Sequence, residues 1–149
     1  MGAWGYKNFE NDSALDWLNE YVSDPTESEL NEIFDYVLER EEFLDSEESL
    51  IALAASEIIA AGLYSGSSDF PQEVNAAELG ISISKSLIKK AIDSINKILS
   101  HKQSELRILW EESEEFQVWK HYQEILIKRL NTDNRKRKRI GGHILIDPE

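Results

Sequence analysis

Apolar residues recur three and four positions apart in nearly every stretch between turn signals, and strand-like alternation is almost absent. That period predicts helices. The first should run from Ser13 to Val22, capped by Asn11 or Asp12, with Leu15, Trp17, Leu18, Tyr21 and Val22 turned inward and Asp24-Pro25 ending it. The second starts at Thr26, where Thr26-Glu-Ser-Glu29 has the form of a capping box. Its stripe of Leu30, Ile33, Phe34, Val37 and Leu38 should carry it to about Phe43. The third begins near Asp45 or Ser46 and is apolar on almost every face apart from Ser56 and Glu57, which makes it the central helix. Gly66 and its serine neighbours supply the stop.

Residues 65 to 82 read as the longest irregular connection, placed on the surface, anchored by Phe70 and with room for a short turn through Glu73 to Leu79. A fourth helix, about Ser84 to His101, carries Leu87, Ile88, Ala91, Ile92, Ile95, Ile98 and Leu99 on one face, with Lys85, Lys89 and Lys97 off that stripe. The fifth, about Ser104 to Glu112, uses Leu106, Leu109 and Trp110. The sixth, about Glu114 to Asn131, uses Phe116, Trp119, Tyr122, Leu126 and Leu130, with Ser113 as the natural cap between them. After Asn131 the character changes: Arg135 to Arg139 is five consecutive cations, and a short strand is allowed at His143 to Ile146. The fold expected is all-α, a single-domain antiparallel helical bundle or array of about six helices over residues 1–133, with a basic C-terminal tail over 134–149.

Composition adds limits. At 149 residues the chain can bury roughly 70% of the surface its unfolded form would expose. The apolar fraction of 41%, with four Trp, five Tyr and five Phe, argues against disorder. The absence of cysteine excludes disulfides and thiolate chemistry and suits a reducing cytoplasm. No stretch approaches the roughly 20 apolar residues of a membrane span, and the N-terminus lacks a signal-peptide pattern. Tyr6 stands where a myristoylation motif wants Ser or Thr. The expectation is a cytoplasmic protein with no membrane partner.

Charge is divided unevenly. Residues 1–83 hold two cations and 19 acids, a net −17; residues 84–149 hold 14 cations and 10 acids, a net +4, which together give the −13 of the whole chain. Such a field favours a basic protein as partner and opposes nucleic acid at the N-terminal half, although acidity also serves plain solubility.

Chemistry is scarce. His101, His121 and His143 show no zinc-ligand spacing, and no Glu-x-x-His occurs; His121 and Glu124 can meet on one helical face but make no metal site. The acid pairs Glu41-Glu42, Glu47-Glu48, Glu111-Glu112 and Glu114-Glu115 are sequence neighbours, which do not face each other on a helix. No nucleophile elbow, phosphate-binding loop or dinucleotide fingerprint is present. No catalytic residue, cofactor or metal is expected, and the chain reads as a non-enzyme.

Three stretches resemble a bacterial family of unknown function: Met1-Gly-Ala-Trp-Gly5 with Phe9-Glu-Asn-Asp12 and Ala14-Leu-Asp-Trp17; the Ala-rich helix Ala52 to Ala61; and Ser104-Glu-Leu-Arg107 with Leu109-Trp-Glu-Glu-Ser113 and Trp119. The resemblance spans residues 1 to about 130 and implies fold more than function, with no activity, cofactor or catalytic residue to carry over. Read from the residues alone, Gly2 and Gly5 permit a tight turn while Trp4 and Phe9 drop into the core; the alternative for Trp4 is an exposed aromatic lip. Trp110 and Trp119 lie nine residues apart, two and a half turns of a continuous helix, and read as separate core anchors.

The leading functional expectation is a protein-binding module, of the kind of an immunity protein that covers a basic toxin such as a nuclease. The contacts would come from Glu27, Glu29, Glu32, Asp35, Glu39, Glu41, Glu42 and Asp45 on the second and third helices. A rival is a nucleic-acid accessory protein acting through Arg135, Lys136, Arg137, Lys138 and Arg139. A third, a small-molecule-binding protein, requires an open apolar cavity beside Trp4, Trp17 or Trp110.

Overall fold

The computed structural model describes residues 3–63, 71, 79–131 and 146–147. Among these, six helices form: α1 (Asp12–Tyr21), α2 (Glu27–Glu39), α3 (Ser46–Leu63), α4 (Lys85–Ser100), α5 (Glu105–Glu111) and α6 (Phe116–Leu130). Five begin on a side-chain oxygen that satisfies a free N–H of the first turn, α3 among them on Asp45, which accepts from Glu48 N. Asn11 accepts from Ala14 N, Thr26 from Glu29 N, Ser84 from Leu87 N and Ser104 from Arg107 N. At α6 the expected cap fails: Glu115 holds the cap position without a side-chain bond. Ser113 instead sits in the turn, donating to Trp110 O at 2.8 Å and accepting from Glu115 N at 3.2 Å.

α3 is the hub. Every residue from Ala52 to Leu63 is buried, and the helix touches α1, α2, α4, α5 and α6. Its alanines present almost no side chain to hold neighbours away, so a single apolar cluster forms with members from all six helices. The all-α class expected from periodicity is the class observed.

α2 ends four residues earlier than its apolar stripe suggested, because other helices capture the chain there. Lys97 Nζ on α4 donates to the carbonyls of Leu38 and Arg40. Leu44, fully buried, then pairs with the chain entering α5: Leu44 N donates to Gln103 O at 3.1 Å and Glu105 N to Leu44 O at 2.9 Å. A continuing helix could not make both contacts.

A parallel pair of two-residue strands joins Ile83–Ser84 (β1) to Ile146–Asp147 (β2), Ile83 opposite Ile146. The strand expected at His143 to Ile146 thus overlaps β2 at Ile146, and 143–145 lie outside the described residues. So do 64–70 and 72–78, with the Phe70 anchor and most of the Glu73 to Leu79 turn. The end of that connection is not superficial: Ile81 and Ile83 are in the core, past a turn at Gly80 whose φ of +70° favours glycine. No helix among the described residues is long and apolar enough to cross a membrane.

Candidate functional site

The eight carboxylates expected to form one acidic face divide into two groups. Four are committed within the fold. Glu27 Oε1 accepts from Ser82 N at 2.6 Å, and Glu29 Oε2 accepts from Trp17 Nε1 at 2.9 Å. Glu29 therefore ties α1 to α2 rather than closing a capping box. Asp35 pairs with Lys90 at 2.9 Å. Asp45 caps α3 through Glu48 N at 3.0 Å and accepts from Tyr36 O–H. The other four, Glu32, Glu39, Glu41 and Glu42, are exposed. Three of them cluster where α2 gives way to the 40–45 loop.

That loop is held from several sides. Lys97 takes the Leu38 and Arg40 carbonyls. His101 Nδ1 accepts from Gln103 N, so its Nε2–H donates to Glu41 O at 3.0 Å. Glu105 Oε1 receives Ser46 N at 2.7 Å. The Arg40 guanidinium lies 4.3 Å over the Tyr36 ring, which turns this cation onto its own helix. From this fixed frame Phe43 projects with 55% of its surface exposed, beside Glu41 and Glu42. The Glu48 carboxyl is raised from its ordinary value, first by burial and then by Asp45 and Glu47.

At another level of the molecule the N-terminal segment forms a second fixed loop. Ala3 bridges Asn11, Trp4 N donates to Glu10 O at 3.0 Å, and Glu10 N donates to Lys7 O. Phe9 is buried as expected, but Trp4 is not: it is 60% exposed, the aromatic lip rather than a core plug. A Cβ on Gly5 would lie 2.4 Å from Glu10 Oε1, the far end of a flexible side chain that would have to move aside.

The loop is pinned by a polar network that periodicity could not show. Asn8 Nδ2 donates to Glu57 Oε2 and to Gln123 Oε1, each at 3.0 Å, and Gln123 Nε2 returns a bond to Asn8 Oδ1 at 2.8 Å. Arg129 donates to Glu57 Oε1 at 2.9 Å. Asn8, Glu57 and Gln123 are all buried, so each polar group needs these partners. One signal existed: Glu57 is the sole acid in the apolar stretch of α3, and a buried acid demands a partner.

Trp110 and Trp119 are both buried, as expected, but they are not separate. The break between α5 and α6 brings their rings to 5.8 Å with an interplanar angle of 11°. His121 and Glu124 do meet, at 3.9 Å on an exposed face. Among the described residues no group of three or more His, Asp or Glu could hold a metal ion. A hollow of about 400 Å³ is lined by His121, Glu124, Ile125, Ile127 and Lys128. Another, of about 290 Å³, is lined by Lys7, Phe9, Glu10, Leu15 and Pro71. Neither is lined by Trp4, Trp17 or Trp110. The basic run Arg135 to Arg139 lies outside the described residues.

The chain belongs to the family described as a domain of unknown function (DUF4259), whose model matches residues 2–122. The match takes in the N-terminal loop, the 40–45 loop and the first half of α6, and stops short of the basic run. No curated protein and no solved structure matches the chain.

Proposed function

We propose that this chain is a cytoplasmic, non-enzymatic protein-binding module that takes a basic protein on the edge formed by Glu32, Glu39, Glu41, Glu42 and Phe43. Its finer form is an immunity protein that covers the basic active face of a toxin such as a nuclease. The observation that carries the reading is the 40–45 loop: it is fastened by contacts from α4 and α5, yet it turns outward a phenylalanine and two carboxylates that form no ion pair among the described residues. An aromatic held rigidly in a charged rim suits a contact centre, because little conformational freedom is lost when it binds. The carboxylates add steering toward a cationic surface. Covering an active face requires no catalysis.

The test is capture from the native cell lysate at low salt, with the wild-type chain and a Glu39→Gln/Glu41→Gln/Glu42→Gln variant, followed by titration of the captured basic protein. Wild-type affinity should fall as salt is raised from low to physiological and beyond, and the triple variant should flatten that dependence. Phe43→Ser should weaken binding by about 30-fold without changing the salt slope, as expected for a contact-centre side chain worth about 2 kcal/mol. A dissociation constant indifferent to salt would remove the acidic edge as the interface. A captured nuclease that stays fully active in the complex would remove the immunity reading and leave the binding module.

A further inference from the structure

We infer that α6 is a self-association surface: two copies of the chain pair antiparallel along its outer side, with Val118 of one against Ile125 of the other. This side of the molecule is separate from the acidic edge and does not depend on it.

α6 has two sides. Trp119, Gln123, Leu126 and Leu130 are buried, while Gln117, Val118, His121, Glu124, Ile125 and Lys128 are exposed. Positions 118, 121, 125 and 128 follow one another at spacings of three and four, which puts them in one row along the outer side. Val118 is 47% exposed and Ile125 42%. Two β-branched side chains thus face water on a helix already anchored through its other side. Between them Tyr122, half-buried, takes the Tyr6 ring edge-on at 5.6 Å, so the middle of the row is aromatic and backed by the N-terminal loop. The hollow of about 400 Å³ opens beside it, bordered by His121, Glu124, Ile125, Ile127 and Lys128. The surface at this end is therefore recessed and can take a projecting side chain.

Charge decides the occupant. Residues 114–130 hold three acids (Glu114, Glu115, Glu124) and three cations (Lys120, Lys128, Arg129), a neutral stretch in a chain of net −13. Two copies meeting here bring no excess charge of one sign together. The signs are also separated along the helix: Glu114 and Glu115 stand at its start and Lys128 in its last turn. Neither Glu115 nor Lys128 forms an ion pair among the described residues. An antiparallel pair centred between His121 and Tyr122 sets Val118 opposite Ile125 about 5 Å on either side of the two-fold axis, at roughly 1.5 Å per residue. The same register sets Glu115 opposite Lys128 about 10 Å out, and symmetry makes each contact twice. A parallel pair would set Glu115 on Glu115 and Lys128 on Lys128. A helix of 15 residues is about 22 Å long, which covers less than a standard interface, so the dimer is a weak one.

The full chain is sedimented from about 5 µM to about 1 mM at physiological ionic strength, where long-range repulsion between the acidic molecules is screened. It should show a monomer–dimer equilibrium with a dissociation constant of about 100 µM. Ile125→Ser should weaken the dimer at least about tenfold with unchanged thermal unfolding, because the side chain is exposed. Lys128→Glu should weaken it to a similar extent by setting like charges opposite each other. The swapped variant Glu115→Lys/Lys128→Glu should recover wild-type association, which neither a parallel pair nor another face would show. Phe43→Ser should dimerise as wild type, which separates this surface from the acidic edge. A chain that stays monomeric up to about 1 mM, a dissociation constant beyond which self-association carries little free energy, would overturn the proposal and leave the face to a different protein. A dimer that persists unweakened in Ile125→Ser, or that Lys128→Glu leaves untouched, would overturn it as well.

Discussion

Arg129→Met should destabilise the fold by about 3 kcal/mol or more, measured by urea unfolding with the slope compared against wild type. Glu57 is 2% exposed and near the middle of the most buried helix. It accepts from Asn8 Nδ2 and from the Arg129 guanidinium. Methionine fills much of the volume of the arginine stem but donates nothing, so a charged carboxylate stays out of water with one strong partner gone. The loss should be shared by the N-terminal loop, because Asn8 sits between Glu57 and Gln123 and cannot serve both if the carboxylate moves. Adding Glu57→Gln to Arg129→Met removes the orphaned charge and should restore at least half of the lost stability. That coupling is what a double-mutant cycle measures. A single-variant loss below about 1 kcal/mol would mean that the pair behaves as an exposed one.

The helices were legible in the sequence because each carries its own period and most carry their own caps. Asn11, Thr26, Ser84 and Ser104 act through bonds three residues away, well within what a short window can see. What was not legible depends on contacts between distant parts of the chain. Nothing local stops α2 at Glu39; Lys97 and the Leu44 pairing stop it, through contacts 57 to 61 positions apart in the chain. The acidic residues looked alike in a one-dimensional reading. Yet Glu29 bonds the Trp17 indole and Glu27 the Ser82 amide, while Glu39, Glu41 and Glu42 face outward. Of the eight acids that composition grouped together, only four are exposed. Glu57 was visible as an oddity, but its partners lie 49 and 72 positions away, and Gln123 joins through Asn8 at a separation of 115. Trp4 was misplaced because the backbone bond that fixes it, to Glu10 O six positions on, leaves the indole outside the core.

The tryptophan pair offers the sharpest contrast between two substitutions of the same kind of residue. Nine positions on an unbroken helix would set Trp110 and Trp119 on different faces, but α5 ends at Glu111 and α6 starts at Phe116, so the phase restarts and the rings stack. Trp119 is 1% exposed, also packs against Phe116, and belongs to the core cluster beside Leu126 and Leu130. Trp119→Ala should cost about 4 kcal/mol, combining a large cavity with loss of the stacked ring. For a domain of this size that lowers the unfolding midpoint by about 8 to 16 °C. Trp110→Phe should cost much less, about 1 kcal/mol, even though the residue is also buried. Its Nε1–H is buried with no acceptor among the described residues, so replacing indole by phenyl removes an unsatisfied donor and offsets part of the lost contact. Calorimetric unfolding of the two variants checks both values. If Trp110→Phe proves as damaging as Trp119→Ala, the indole N–H has a partner in solution, and the stacked pair is not what joins α5 to α6.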